Sequence, residues 1–348
     1  MAGQAGAIEP AERFPLDNLL MRPNLYTYEG NWLFCAFPNC EVRAARMGFG
    51  QGRFRWEDYG LDPPSGASIP LAYRLEFITL EGVEACLFSG HYPERPVASD
   101  PDRIAMSFQR RQRELFRIDG WPRMRWRFRS PDESMSADLA VSAQALVVWP
   151  DYVMPHNTFS MAIGACGIAG SVRIAGRELP VSGAGFFDHP RVLVEENSEA
   201  PLFGWYLYAP ISFPSGWMLA AYHAEDGEGN CEKAYSAAFF TAAGGAAGWL
   251  PQSRFSGLRF DREGLPCAWD ISLKGDGIEV RCRVRVQALE TVRLWTSEPR
   301  PEPGRYLAYP LLMSVEGEHS KDGVVTRLEG GSGIAEFLVR KGYEPRYP

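Results

Sequence analysis

The 348-residue chain lacks the motifs of several large enzyme classes. It contains no G-x-S-x-G, no phosphate-binding loop and no G-x-G-x-x-G, so neither a hydrolase with a nucleophile elbow nor a nucleotide-dependent enzyme is indicated. Its five histidines show no H-x-H or H-x-x-x-H spacing, and its seven cysteines form no C-x-x-C pair. We therefore expect no metal, no disulfide framework and no organic cofactor.

Long apolar runs and positive charge are also scarce. No run of about eighteen apolar residues occurs, so no transmembrane segment is expected. The first residues have neither the basic nor the apolar region of a secretory signal, and we expect a cytoplasmic protein. A net charge of −7 argues against nucleic-acid binding, because few phosphates would be neutralised. The oligomeric state is left open.

Alternation of apolar and polar residues dominates the chain. The stretch 278–289 (IEVRCRVRVQAL) is typical: valines and a cysteine alternate with arginines. Helical periodicity is weak, and 103–117 is the one plausible helix. Many evenly spaced strands predict an all-β protein of barrels or sandwiches. The polar, proline-terminated stretch 195–201 suggests a boundary between a first domain at 25–194 and a second at 202–348, after an N-terminal tail or plug at 1–24.

The densest cluster of chemically informative residues is Val181-Ser-Gly-Ala-Gly-Phe-Phe-Asp-His-Pro-Arg191, followed by the aromatic strand Gly204-Trp-Tyr-Leu-Tyr208. Asp188 and His189 beside an aromatic wall suit proton chemistry on an apolar substrate. A carboxyl pressed against apolar rings stays protonated and acts as an acid, and an imidazole titrates near neutrality. The competing interpretation is a tight turn in which Asp188 caps its own backbone and His189 packs.

These residues resemble a known family. Gly183, Gly185, Asp188 and His189, followed by Gly204, Trp205 and Tyr208, are similar to the motifs of the hydroxyneurosporene synthase (carotenoid 1,2-hydratase) and AttH-like family. The resemblance implies two lipocalin-like antiparallel β-barrels in tandem, a plan distantly similar to two-barrel Diels-Alderases and tocopherol cyclase. It also implies an apolar cavity and chemistry on an unsaturated or polycyclic lipid-like molecule.

The chain departs from the family after Asp-His, where D-H-x-W-G is common and Pro190, Arg191 and Val192 stand instead. Pro190 pushes His189 toward an extended conformation. Arg191 would hold Asp188 ionised, which opposes the acid role. The family's exact reaction on carotenoids is therefore not transferred to this chain.

Further residues are candidates for contacting the substrate. Strand alternation puts Trp205 and Leu207 on one face and Tyr206 and Tyr208 on the other, and only one face can line a cavity. The motif favours Trp205, while spacing alone leaves the tyrosines open. His156 and Asn157, in a turn before a strand, are candidates for the cavity mouth, the alternative being a solvated loop. Trp56 lies in an acidic, aromatic cluster that would either supply a second acid or form a surface turn.

Two functions follow from these patterns. The first is a cofactor-independent hydratase, isomerase or cyclase for an isoprenoid, polyene or polyketide-like molecule, with Asp188 and His189 as the catalytic pair. The second is a non-catalytic carrier of a lipid or pigment, in which the same motif is structural. The enzyme is favoured because a carrier has less need of an Asp-His pair.

Overall fold

The computed structural model describes residues 9–21, 28–52, 69–154, 157–194, 204–225, 235–241, 247–250, 252–262, 264–275, 277–287, 292–294, 306–340 and 342. The chain divides into two compact units. The first comprises Met1–Glu196 and Leu289–Tyr306, and the second Asn197–Ala288 and Leu307–Pro348. The sequence pattern assigns all of 202–348 to the second domain. In the structure, by contrast, Leu289–Tyr306 groups with the first unit.

The first unit is a single curled sheet of thirteen strands. Its order is β20-β5-β4-β3-β2-β12-β11-β10-β9-β8-β7-β6, with β1 paired to β10. The neighbouring strands of this sheet are antiparallel, except that β20 is parallel to β5. The strands are β1 (Glu9–Pro10), β2 (Tyr28–Ala36), β3 (Val42–Gln51), β4 (Ile69–Thr79), β5 (Val83–Tyr92), β6 (Ala98–Ser99), β7 (Ala105–Arg110), β8 (Arg113–Asp119), β9 (Arg123–Arg129), β10 (Met135–Met154), β11 (Asn157–Ile174), β12 (Arg177–Val194) and β20 (Val292–Leu294).

The second unit is a nine-stranded sheet of order β16-β15-β14-β13-β22-β21-β19-β18-β17. Its strands are β13 (Trp205–Ser212), β14 (Met218–Glu225), β15 (Tyr235–Thr241), β16 (Ala247–Leu250), β17 (Gln252–Phe260), β18 (Pro266–Gly275), β19 (Ile278–Val286), β21 (Tyr306–Lys321) and β22 (Val324–Arg340). Each curled sheet encloses its own apolar core. The fold is therefore all-β, with two lipocalin-like halves, as the alternating pattern predicts.

The expected helix at 103–117 is wrong. The structure has the hairpin β7–β8 there, and Arg110 pairs with Arg113 across a two-residue turn. Both turn residues, Arg111 and Gln112, have positive φ (49° and 66°), which matches the right-handed twist of a hairpin. Neither is a glycine, so the turn carries no strong signal in the sequence.

Short 3-10 turns, Ala11–Arg13 and Leu16–Asn18, precede the first sheet. Phe14, Leu19 and Met21 are buried in the core of the first unit, so the described part of the N-terminal segment packs as a plug. Among the described residues, no helix has both the length and the apolar character that a membrane crossing requires.

Candidate functional site

The glycines of the motif let strand β12 lie close to β2. A Cβ built on Gly183 would stand 2.0 Å from the Ala36 carbonyl oxygen, and one on Gly185 would stand 2.0 Å from the Phe34 carbonyl oxygen. Any side chain at these positions would force the strands apart. The two glycines are therefore explained by the packing of β12 against β2.

Asp188 and His189 point to opposite faces of β12. The register of β12 with β11 runs without a shift, so side chains alternate strictly along it. Phe187 belongs to the core of the first unit, and His189, two residues on, shares this inner face. Asp188 shares the outer face with Phe186. Both members of the expected pair are buried, at 4% and 0% exposure, but Asp188 does not orient the ring of His189.

The carboxylate beside His189 comes from Glu29 on the neighbouring strand β2. His189 Nε2 lies 3.1 Å from Glu29 Oε1, and Glu29 is itself 2% exposed. Arg191 Nε donates to the same oxygen at 3.3 Å, and Arg95 Nη2 donates to Oε2 at 3.3 Å. These four residues are called the Glu29 cluster. Arg191 thus shares the face of His189 and pairs with Glu29, and the expectation that it holds Asp188 ionised stays a prediction.

The contacts of Glu29 set the protonation of His189. A carboxylate held by two guanidinium groups accepts hydrogen bonds, so Nε2 of His189 carries the proton and Nδ1 has the free lone pair. Burial lowers the pKa of His189, while Glu29 and the Gly30 backbone oppose that shift and Arg191 adds to it. The direction of this shift favours the neutral ring, in which Nδ1 is the basic nitrogen.

The N-terminal segment covers this end of the sheet. Arg191 Nη2 donates to the carbonyl oxygens of Asp17, at 3.1 Å, and Leu20, at 2.8 Å. The amide of Asn31 on β2 contacts the sulfur of Met21 at 3.4 Å. Arg191 therefore joins the Glu29 cluster to the N-terminal segment. Arg95, whose side chain is 23% exposed, is the most exposed member of the Glu29 cluster.

The outer face near Asp188 carries its own polar groups. Asp188 pairs in register with Trp32, whose Nε1 donates to the Tyr28 hydroxyl at 3.0 Å. Further along this face, Arg46 forms a buried ion pair with Glu76. Asp188 thus lies in a buried environment, on the face of β12 opposite His189.

Trp205, Tyr206 and Tyr208 belong to the second unit. Trp205 and Leu207 face its core, where the Trp205 ring lies 5.0 Å from that of His223. Tyr206 is on the opposite face, and its hydroxyl donates a short hydrogen bond to Glu336. Burial lowers the pKa of His223 to about 4.

The remaining candidates are less informative. Asn157 opens β11 opposite Val194. Trp56 and His156 lie outside the described residues. No group of three or more histidine, cysteine, aspartate or glutamate side chains within the described ranges is arranged to hold a metal.

The sequence interpretation missed Glu29, Arg95 and Gln51. Glu29 and Gln51 are direct partners across β2 and β3, and the backbone N–H of Val97 donates to Gln51 Oε1 at 3.2 Å. The available signal was a polar residue at an inward position: Glu29 shares its face with Leu33, which is fully buried. Glu29 and His189 are 160 residues apart, so no local motif joins them.

Solved structures share this fold. A structure assigned as AttH from Nitrosomonas europaea superposes with a TM-score of 0.56 at 11% identity, covering 95% of this chain and 96% of that one. Kievitone hydratase from Nectria haematococca superposes with a TM-score of 0.51 at 10% identity, covering 94% and 95%. No family model matches the sequence, and no curated protein matches it significantly. The resemblance to AttH-like proteins is confirmed at the level of the fold.

Proposed function

We propose that the chain is a cofactor-independent enzyme that carries out acid/base chemistry on a small apolar unsaturated molecule, with His189 as the proton-transfer group and Glu29 as its positioning residue. The observation that carries the proposal is the 3.1 Å contact between a fully buried imidazole and a carboxylate held by two arginines. A buried pair of this kind costs desolvation energy, and such groups concentrate at functional sites.

The chemistry follows from the protonation of the pair. Neutral His189 accepts a proton at Nδ1 from an acidic C–H of the substrate or from water, and Glu29 stabilises the imidazolium that forms. Return of that proton to another carbon of the conjugated system moves a double bond, which is isomerisation. If activated water supplies the oxygen while a proton adds to the neighbouring carbon, the net reaction is hydration. Cyclisation that begins with protonation of the substrate uses the same proton transfers on a folded substrate.

Support for the hydratase variant comes from the shared fold of kievitone hydratase, since this architecture accommodates hydration chemistry in that protein. Fold likeness alone does not assign a reaction. The proposal for this chain therefore depends on the Glu29 cluster, and the choice between water addition and isomerisation depends on experiment.

Asp188 and the second unit provide separate candidates. Asp188 is buried on the outer face and is proposed as a general acid, distinct from the His189 pair. Trp205, on the inner face of the second unit, is proposed to contact ligand, with Tyr206 and Tyr208 as the alternative on the opposite face. Unchanged turnover in Asp188→Asn would contradict the role of Asp188 as an acid. Unchanged ligand binding in Trp205→Leu would contradict a contact between Trp205 and the ligand.

The test begins with native mass spectrometry of gently purified protein and organic extraction of the bound molecule. The extracted compound is then incubated with the protein in water labelled with the heavy oxygen isotope. Gain of labelled oxygen identifies hydration, and an unchanged mass with a new structure identifies isomerisation or cyclisation. We expect His189→Gln to abolish conversion while His91→Gln, on the outer face of β5, retains it.

The alternative function, a non-catalytic carrier, predicts a different result. The extracted compound would bind and be recovered unchanged from the wild type under every condition. His189→Gln would then lower stability or affinity without any effect on conversion. Recovery of unchanged ligand after incubation with folded wild-type protein contradicts the enzymatic proposal.

A further inference from the structure

Two hydrogen-bond donors beside Glu29 have no acceptor among the residues that the structure describes. Gln51 is 1% exposed, and within this part of the chain neither its Nε2 nor the buried Nε of Arg95 has a hydrogen-bond partner. The Gln51 amide is not simply flipped, because its Oε1 accepts from the Val97 backbone N–H and fixes which end is oxygen. Buried donors are nearly always satisfied, so these two call for an acceptor from outside the protein.

The two donors belong to residues that both adjoin Glu29. Gln51 is the direct cross-strand partner of Glu29, and Arg95 contacts the carboxylate of Glu29. Gln51 also binds the loop that carries Arg95, through Val97. Donors from β3 and from this loop therefore lie beside the proton-transfer pair.

We propose that Gln51 Nε2 and Arg95 Nε form a subsite for one anionic oxygen group, such as a carboxylate, on an otherwise apolar substrate. This inference rests on the proposed function, because it places the acidic end of the same substrate beside His189. A neutral His189 leaves the Glu29 cluster with two positive charges and one negative charge. One anion balances that excess, and buried charges are stable when they are paired.

The burial of Arg95 agrees with this assignment. Desolvation lowers the pKa of Arg95 although the adjacent Glu29 raises it, so one carboxylate compensates its burial only partly. A second anion at Nε would complete the compensation. The guanidinium fork is suited to two acceptors at once.

The experiment compares two polyenes that differ at one end, retinoic acid and retinol, by quenching of tryptophan fluorescence at mildly alkaline pH. Wild type is expected to bind the acid at least about tenfold more tightly than the alcohol, the effect of a charge-assisted hydrogen bond. Gln51→Glu keeps the acceptor for Val97 and replaces the amide donor with an anion. It should remove the preference for the acid while retinol affinity is retained.

The matched control is Gln109→Glu, which adds the same charge at an exposed position of β7. It should keep the wild-type preference. If Gln51→Glu fails to fold, Arg95→Met gives the same readout without changing the Val97 contact.

Three results would overturn the inference. Equal binding of both polyenes by wild type, or a preference that survives both Gln51→Glu and Arg95→Met, removes the subsite and leaves the proposed function standing. Binding of neither polyene removes the subsite together with the apolar-ligand premise of the proposed function.

Discussion

Glu29 and His189 meet inside the first unit, with His189 Nε2 3.1 Å from Glu29 Oε1, although 160 residues separate them in the chain. Strands β2 and β12 are neighbours in the sheet, so the two side chains approach on its inner face. The same carboxylate forms ion pairs with both Arg95 and Arg191. Glu29 is therefore both the electrostatic centre of the cluster and the group that fixes the tautomer of His189.

Removing the charge of Glu29 should destabilise the protein. In Glu29→Gln, Arg95 and Arg191 lose their shared carboxylate in a poorly solvated place, and a loss of about 3 kcal/mol in the free energy of unfolding is expected. Glu114→Gln, which breaks the surface pair with Arg117, should have only a small effect on the free energy of unfolding. Chemical denaturation measures both. Equal losses in the two variants would show that Glu29 is not a buried electrostatic centre.

The motif glycine Gly185 should tolerate no side chain. In Gly185→Ala the new Cβ meets the Phe34 carbonyl oxygen, which belongs to backbone and cannot move aside, so a loss of roughly 2 kcal/mol or more is expected. Gly167 on adjacent β11 is the matched control, since its Cβ would find its nearest neighbour, Gln144 Nε2, at 3.7 Å. Thermal melts should leave Gly167→Ala near wild type. A Gly185→Ala variant as stable as Gly167→Ala would contradict the close approach of β2 and β12.

Acid should weaken the second unit through His223. Its pKa falls from the ordinary 6.5 to about 4 on folding, so the unfolded chain binds more protons between these values. The contribution of His223 to stability is complete above pH 6.5 and is lost as pH falls toward 4. At a pH slightly above 4, the free energy of unfolding is lower by roughly 2–3 kcal/mol because of His223.

Denaturation at a series of pH values checks this expectation. His223→Gln, which does not titrate, should lose less stability than wild type on acidification. Some slope should remain, because burial lowers the pKa of His189 in the same direction. His91→Gln is the control and should keep the full slope. Parallel curves for wild type and His223→Gln would contradict the burial of a neutral His223.

Arg191 should hold the N-terminal segment in place. Arg191→Met removes the hydrogen bonds to the Asp17 and Leu20 carbonyl oxygens, so local opening of residues 16–21 becomes easier. Hydrogen exchange at the Leu19 and Leu20 amides, both bonded to the Leu16 carbonyl in the structure, should accelerate at least about tenfold. Arg177→Met, which loses an exposed pair with Glu41, should leave exchange there unchanged. Unchanged exchange in Arg191→Met would mean that apolar packing alone holds the segment.

Side-chain periodicity revealed the fold, because a strand with one buried face must alternate, as β19 does with Val280, Cys282 and Val284 inward. The sequence did not predict the hairpin turn at Arg111 and Gln112, because neither residue type favours the positive φ that both adopt there. The motif directed attention to Asp188 and His189, and both are buried in the structure. Adjacent residues of a strand face apart, so the two lie on opposite faces of β12, and their catalytic roles stay predictions.

Sequence patterns do not identify Glu29 as the partner of His189. Glu29 becomes a neighbour only when β12 pairs with β2, a pairing between distant parts of the chain. Arg95 follows β5 in a loop whose position depends on Gln51. These contacts depend on strand order, which alternation does not determine.

Nitrogen NMR of imidazole-labelled protein tests the central claim, that burial keeps His189 neutral while Glu29 holds its proton on Nε2. The His189 signals are assigned by their loss in His189→Gln, among the five histidines of the chain. At neutral pH we predict a neutral ring protonated at Nε2 and unprotonated at Nδ1, with a pKa below the ordinary 6.5 and a changed tautomer balance in Glu29→Gln. A charged ring at neutral pH, or a proton on Nδ1 with Nε2 bare, would contradict it.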